Sequence, residues 1–329
     1  MSGLPRAYIE RYFLARRRLV ELLMEKGHVS EIGVEVVKYS TLLSPMLATS
    51  GPAGVNVAPM MLSFAVREEY LEEAIEELRR IEKEYWGKGG EAFRAASRFL
   101  LDYVYNLEKA DPARLVTHLM TRGHTWKNVK ATGEAAVGIL FPPDEGALEL
   151  RVKAEIVEEG PIYEYVNRVH DLMHAIPYGR RSHEWFPALI LTIKEIYDND
   201  FKLLGLRIYP PPTIVVSSTS DGRVYAGHFG DAEVYRFYKL DDGECRLVEV
   251  KENPYRGEHH HGHEERGKRA RILGLIGDVQ AIITAAMGPG GREFFEERGV
   301  KVYRAKPGVA VAEALESILG CRVAGDAQG

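Results

Sequence analysis

The sequence predicts a two-part protein of the α/β and α+β classes. A larger mixed α+β domain covers residues 1–209, and a smaller mixed sheet with flanking helices covers residues 213–320. Three observations carry this reading. Pro210-Pro211-Pro212 is a stiff, extended spacer that continues neither a helix nor a central strand. Before it, amphipathic helical periodicities alternate with short runs broken by proline and glycine. After it, β-branched runs come first and strand–helix alternation follows, which implies a mixed sheet covered by helices.

Taken in order, residues 5–26 read as a helix, because Tyr8, Tyr12, Leu19, Leu22 and Leu23 recur at helical spacing with arginines between them. Residues 44–66 hold Pro45, Gly51, Pro52, Gly54 and Pro59 and read as strand, turn, strand. Residues 67–85 are a stronger helix. Leu71, Ala74, Ile75, Leu78 and Ile81 form its apolar face, and Glu76 with Arg80 forms an i,i+4 pair on the other. Gly87, Gly89 and Gly90 end it, and a third helix runs on to about Glu108. Strands over 134–140 and 147–158 flank a turn at Pro142-Pro143-Asp144-Glu145-Gly146; a helix covers 162–175, and 188–196 suits either helix or strand.

Beyond the prolines, strands are expected at 213–218, 223–226, 233–240 and 247–251, then a polar stretch over 252–265. Helix 267–276, strand 279–284, helix 289–297, strand 301–303 and helix 309–319 complete the domain, and 321–329 reads as a disordered tail.

Composition narrows the function classes. With 45% hydrophobic and 28% charged residues the 329-residue chain has ordinary globular composition. A net charge of −5 gives no general electrostatic reason to bind nucleic acid. No apolar run approaches the ~20 residues of a membrane span, and Arg11 with Arg16-Arg17-Arg18 breaks any secretory signal. Cys245 and Cys321, far apart, suggest neither a disulfide framework nor a four-thiolate cluster. The expectation is a soluble cytoplasmic protein.

Three motifs fall in loops of the C-terminal domain. Gly227-His228-Phe229-Gly230 puts one imidazole, a common transition-metal ligand, at the mouth of the sheet. Asn253-Pro254 precedes His259, His260, His261 and His263, a short histidine-rich arm whose composition suggests metal contact. Met287-Gly288-Pro289-Gly290-Gly291 joins a strand to a helix and could face an anion with its amides, but it is neither of the common nucleotide fingerprints.

The order of these motifs, with Asp221-Gly222-Arg223-Val224 before them, resembles the nitrogenase iron–molybdenum cofactor biosynthesis and carrier family over residues 213–319. The resemblance implies a ribonuclease H-like fold. It also implies a role in carrying or delivering iron–sulfur or iron–molybdenum cofactor intermediates. His228, His259, His260, His261 and His263 become candidate metal contacts, and Gly227, Gly288, Gly290 and Gly291 candidate cofactor-facing positions. The partners implied are a metal-cofactor donor or acceptor protein, with self-association left open. Nuclease chemistry is disfavoured: the first strand offers Ser217 and Ser218 where two metal ions would need carboxylates. Capture and handover, rather than turnover, is the expected mode.

The N-terminal domain offers two further motifs. Gly51 to Met60, with Gly123-His124-Thr125-Trp126-Lys127-Asn128 downstream, is similar to flavin-binding split barrels. That resemblance implies FMN, with Arg122, Thr125 and Lys127 toward its phosphate, and a flavin-dependent oxidoreductase is the alternative function. The long helices between 67 and 108 depart from that pattern. His170-Asp171-Leu172-Met173-His174 places two imidazoles on one helix face, with Glu164 and His183 as added ligands if the fold brings them near; a hydrogen-bonded structural pair is the plainer alternative.

Overall fold

The computed structural model describes residues 4–26, 45–141, 146–181, 184–201, 203–257 and 263–324. The chain divides into two compact units, Met1–Ile196 and Tyr197–Gly329.

Unit 1 is built on seven strands: β1 (Met46–Thr49), β2 (Asn56–Pro59), β3 (Ser63–Val66), β4 (Ala110–His118), β5 (Glu134–Phe141), β6 (Gly146–Val157) and β7 (Ala188–Asp198). They lie in the order β2-β1-β5-β6-β7-β4-β3. The chain opens with α-helical Arg6–Tyr8 and π-helical Ile9–Leu14, which lead into α1 (Ala15–Lys26). Tyr8, Tyr12 and Phe13 are fully buried, with the Phe13 and Phe64 rings 4.7 Å apart. The tyrosine bodies fill the core while their hydroxyls stay satisfied: Tyr8 Oη donates to the Pro112 carbonyl at 2.9 Å, and Tyr165 Oη to that of Phe64 at 3.0 Å. Arg16, expected on the polar face, is instead buried. Its guanidinium lies 5.4–5.5 Å from the Tyr12, Phe64 and Tyr105 ring centres and donates to Tyr12 Oη. Ring faces are a favourable place for a weakly hydrated cation.

Helix α2 (Glu68–Tyr85) buries Ala74, Ile75, Leu78 and Ile81 as its periodicity requires. The expected Glu76–Arg80 pair does not form, because Arg80 makes a two-pronged contact with Glu77 at 2.7 and 2.8 Å and a further bond to Glu84. The third helix, α3 (Gly90–Phe99), passes through a π-helical stretch, Leu100–Val104, and stops short of Glu108. Asn106 turns the chain there, its side chain accepting from the Glu108 amide at 3.0 Å. The strand–turn–strand expected over 44–66 is three strands. Residues 188–196 resolve as strand, and β4 lies where no strand was expected. Pro112 hides it from a pattern search; it sits where the β3–β4 register slips between Phe64/Leu115 and Ala65/Asp111. The remaining helices of this unit are α4 (His124–Thr132) and α5 (Pro161–His174). The turn residues Pro142, Pro143, Asp144 and Glu145 lie outside the described residues.

An ion-pair ladder ties α2 to α5. Glu164 accepts from Arg79 and from Arg168, Glu82 from Arg168 and Arg181, and Asp171 from Arg181 and Trp185. Hydrogen bonding from Arg79, then Arg168, holds the Glu164 carboxyl below its usual range despite some burial. Burial raises the Asp171 carboxyl, but bonds from His170, Arg181 and Trp185 outweigh it and leave it lowered.

Unit 2 begins earlier than the triproline. Leu206 on β8 (Leu206–Tyr209) is in its core, Leu203 packs against that core, and Tyr303 Oη donates to the Leu203 carbonyl at 2.7 Å. The strands β9 (Thr213–Ser218), β10 (Val234–Asp241), β11 (Glu244–Glu252), β12 (Ala281–Thr284), β13 (Lys301–Arg304) and β14 (Arg322–Val323) form a sheet of order β13-β12-β9-β10-β11-β14. β10 is antiparallel to β9 and β11, whereas β12 and β13 run parallel to β9. This is the ribonuclease H-like mixed sheet. Helix α8 (Val311–Leu319) covers one face, over Ile214, Val216 and Ile283. Helices α6 (His263–Ile276) and α7 (Pro289–Glu296) cover the other, over Val215, Phe237 and Ile282. β9, covered on both faces, is therefore buried without alternation from Ile214 to Ser218.

Three expectations fail in this unit. Residues 223–226 make only single bridges, Val224 to Ser218 and Arg223 to Ala310, because the chain turns back at Gly222 (φ +84°) and leaves the sheet. The supposed disordered tail begins with structure, since Arg322–Val323 pairs in parallel with Glu244 and Cys245. That pairing brings the two cysteines together: Cys245 and Cys321, both fully buried, form a disulfide across 76 residues with a Cα–Cα distance of 5.7 Å. Sequence distance misled because β11 and β14 are neighbours in the sheet.

Two outcomes follow. Chain entropy assigns a crosslink of this span up to about 4.5 kcal/mol, so reduction should shift the urea midpoint of the full-length protein down; coincident midpoints with and without reductant would contradict the closure. For Glu164, a carboxyl lowered in the folded state stabilises above its unfolded pKa, and that contribution disappears as pH falls through the folded one. Acidification from about pH 5 to pH 3 should therefore destabilise the parent more than Glu164→Gln in matched denaturant melts.

Candidate functional site

The site is the edge of the sheet beyond β9 and β12, where two motif loops meet. Phe229 anchors the first. It is buried, 5.6 Å from Phe295 and 5.1 Å from Tyr235, whose hydroxyl donates to the Phe229 carbonyl at 3.0 Å. With Phe229 fixed, the preceding His228 stands exposed at the rim. The Phe229 amide donates to the Ala286 carbonyl at 2.8 Å, and the Gly288 amide donates to His228 Nε2 at 2.8 Å. A hydroxyl chain braces the same turn: Ser217 Oγ donates to Thr284 Oγ1 at 2.9 Å, which donates to the Ala286 carbonyl at 3.2 Å. Ser217, one of the two serines that stand where a nuclease would need carboxylates, is thus spent on architecture.

The glycines serve close approach rather than unusual backbone angles. A Cβ on Gly227 would lie 2.7 Å from the Tyr225 ring, and one on Gly288 would lie 3.3 Å from His228 Nε2. Because Nε2 accepts a hydrogen bond, His228 in this state is the neutral tautomer protonated on Nδ1. The Gly288 amide is consumed by that bond, Pro289 has none, and the Gly291 amide donates to the Gly288 carbonyl. These bonds occupy the amides of Gly288 and Gly291.

Helix α6 is fastened to both loops. Lys268 Nζ bonds Asp231 Oδ1 at 2.9 Å beside Gly230, and Arg269 Nη1 donates to the Gly290 carbonyl at 3.0 Å. The Asn-Pro motif acts on the same loop. Buried Asn253 donates through Nδ2 to the carbonyls of Gly230 and Ala232 at 3.1 and 2.9 Å and accepts from the Tyr255 amide at 3.1 Å. Sequence reasoning read Asn253 as a marker and missed that it holds the histidine loop; it missed Lys268 and Arg269 altogether. Of the histidine arm, His259, His260 and His261 lie outside the described residues, and His263 is the first residue of α6.

In unit 1 the three positions proposed to face a flavin phosphate each have local partners or face solvent. Arg122 pairs with Glu158 at 3.2 Å, Thr125 is buried and accepts from Asn56 Nδ2 at 2.8 Å, and Lys127 faces solvent two residues on. Asn128 fixes the adjacent loop by accepting from the Ala53 amide at 2.9 Å and donating to the Gly54 carbonyl at 2.7 Å. The His170–His174 pair is real in space, with ring centres 4.6 Å apart, and His118 joins it at 4.3 Å from His170. Glu164 is committed to arginines, and His183 lies outside the described residues. Among the described residues, no group of three or more His, Cys, Asp or Glu side chains is placed to hold a metal ion.

The C-terminal unit is therefore a mixed-sheet α/β domain in which two glycine-bearing loops meet beside one exposed histidine. Residues 212–320 match the family model described as dinitrogenase iron-molybdenum cofactor, which bears out the resemblance read from the motifs and supports a cofactor-associated role. No curated protein matches the chain. Among solved structures, HupZ of Group A Streptococcus is similar at 15% identity, covering 50% of this chain and 92% of that one, with a TM-score of 0.28. An FMN-binding protein from Syntrophomonas wolfei is similar at 14% identity, covering 57% and 96%, with a TM-score of 0.28. A NifB-like protein from Thermotoga is similar at 26% identity, covering 33% and 88%, with a TM-score of 0.24. These likenesses are too distant to assign an activity. Among the described residues no helix is long and apolar enough to cross a membrane.

Asn253→Ala would strip two buried carbonyls of their donor and should cost about 1–3 kcal/mol. The check is a denaturant melt together with the His228 imidazole resonances, which should lose their single tautomeric signature. An unchanged spectrum would mean that Asn253 does not hold the loop.

Proposed function

We infer that the C-terminal unit is a carrier or accessory module for a metal cofactor of iron–sulfur or iron–molybdenum type. His228 and the histidines at 259, 260, 261 and 263 are its exchangeable contacts, and a cofactor donor or acceptor protein is its partner. The observation that carries this reading is the joining of the His228 loop, the Met287–Gly291 turn and helix α6. Lys268 fixes α6 to Asp231 five residues after the helix starts at His263, and five residues rise only about 7.5 Å along a helix. The arm therefore starts about one and a half turns from the clamp on the rim histidine's loop.

The hydrogen bond at His228 also suits handover. A cargo approaching Nε2 displaces a backbone amide, and one approaching Nδ1 displaces a proton. In either case ligation exchanges one modest interaction for another instead of closing a rigid four-ligand cage. Imidazole is a suitable ligand for iron as well as for other transition metals.

Anaerobic reconstitution of the untagged full chain with iron and sulfide, with and without molybdate, tests this. The parent should retain stoichiometric metal after desalting. His228→Ala should lose most of it, and so should the variant with all four arm histidines changed to alanine. Equal retention in all three proteins, or none in the parent, would defeat the reading.

A further inference from the structure

The feature that the carrier reading leaves unused is the outer face of the unit 1 sheet. We propose that this face, over β2, β1 and β5, docks a second copy of the chain across a twofold axis and makes the protein a homodimer.

Strand register fixes which residues share the face, because directly opposed residues of antiparallel strands point the same way. One row reads Pro59, Met46, Gly138 and Glu149 across β2, β1, β5 and β6. The next reads Val57, Ala48, Ala136 and Arg151, and Leu140 extends the face opposite Ala147. The alternate residues Leu47, Val137, Ile139, Leu148 and Leu150 point inward and are buried. An antiparallel sheet with one buried face ordinarily turns polar side chains to water on the other. β6 does so, with Glu149, Arg151 and Lys153. β2, β1 and β5 do not: Val57 is 54% exposed, Leu140 58% and Met46 40%. Val55 and Met61, beside the two ends of β2, are exposed as well.

A contiguous apolar patch of this kind marks a partner surface, and three features select a like copy as the partner. The first is charge. The centre of the face carries none, and on its rim Arg151 pairs with Glu149 at 3.2 Å and Lys153 with Glu155 at 2.9 Å. A twofold contact sets a patch against its own duplicate, so in a chain of net charge −5 it needs a neutral surface. The second is relief. Val57, Met46 and Leu140 stand beside Ala48, Ala136 and Gly138, so projections adjoin hollows and a rotated copy can seat one in the other. The third is size. At about 4.8 Å per strand and 3.4 Å per residue, four strands and the length of β5 give a face on the order of 500 Å² in projection. That is the scale of the centre of a standard interface, which buries about 800 Å² per partner with its polar rim included. Strand addition at the sheet edge is the poorer geometry, since β2 has only four residues and one of them is Pro59.

Light scattering on a sizing column, with the untagged full-length protein over a dilution series, tests the proposal. The parent should run at twice the 37.0 kDa chain mass. Val57→Asp and Leu140→Glu, each at an exposed side chain, put like charges at the contact and should weaken dimerisation by at least about a hundredfold. Val250→Asp, at an exposed position of β11 in unit 2, should leave the dimer intact. Near-ultraviolet circular dichroism should be unchanged in all three, which separates lost association from lost folding. Oxidation by dilute peroxide then locates the contact. Met46 and Met61 should react slowly in the parent and quickly in Leu140→Glu. Met120 is exposed at the end of β4, separated from β5 by β6 and β7, and should react alike in both. A parent that is monomeric throughout overturns the proposal, and so does a dimer indifferent to Val57 and Leu140. Neither result bears on His228 and the carrier reading.

Discussion

The hydrogen bond from the Gly288 amide to His228 Nε2, paired with that from Phe229 to Ala286, is the constraint on which the candidate site depends. The two loops belong to segments 60 residues apart in the chain. They meet because β12 runs parallel beside β9, the central strand, and delivers its carboxyl end to the same edge from which the chain has just departed. Open α/β sheets place their binding crevices at this position, outside the carboxyl ends of parallel strands. Phe229 turns that geometry into a fixed one by inserting between Tyr235 and Phe295, which leaves its neighbour His228 no choice but the rim.

Around that bond, polar groups that resemble chemistry serve structure. Ser217 and Thr284 brace a turn, Asn253 closes a loop, and Lys268 and Arg269 clamp a helix. The imidazole alone is left outward-facing among them. Unit 1 follows a different economy. Its core is aromatic and accepts a buried guanidinium at Arg16, while a ladder of alternating arginines and acids holds α2 to α5. Each ladder acid meets at least one arginine, as partly buried charges require. The ladder also keeps Asp171 pointed at His170.

Periodicity was a good guide wherever one face of an element is buried and the other wet: α2, α5 and the β5–β6 hairpin are where their patterns put them. It failed where a residue has an exceptional local role. Pro112 concealed β4 because it occupies a register slip. Asn106 ended a helix that still carried an apolar pattern. Arg16 looked like surface, since charge alone does not reveal a ring-lined pocket built from Tyr12, Phe64 and Tyr105. The disulfide was illegible for a topological reason: nothing in the sequence says that β14 lies beside β11. Of the site, the three motifs could be read in the chain. Their joining could not, because it rests on Lys268, Arg269 and Asn253, whose residue types are common on any surface. His118 carried no local signal at all, and only the β4–β7 register brings it to His170.

The central claim is that His228 is held at the rim by the Gly288 amide and so offers an imidazole whose ligation is an exchange. Nitrogen NMR of the full-length protein, with histidine and glycine labelled, tests it most directly. The account predicts an unprotonated Nε2 on His228, a proton on Nδ1, and a through-hydrogen-bond correlation between Nε2 and the Gly288 amide. A proton on Nε2, or a Gly288 amide that exchanges freely with water, would contradict it.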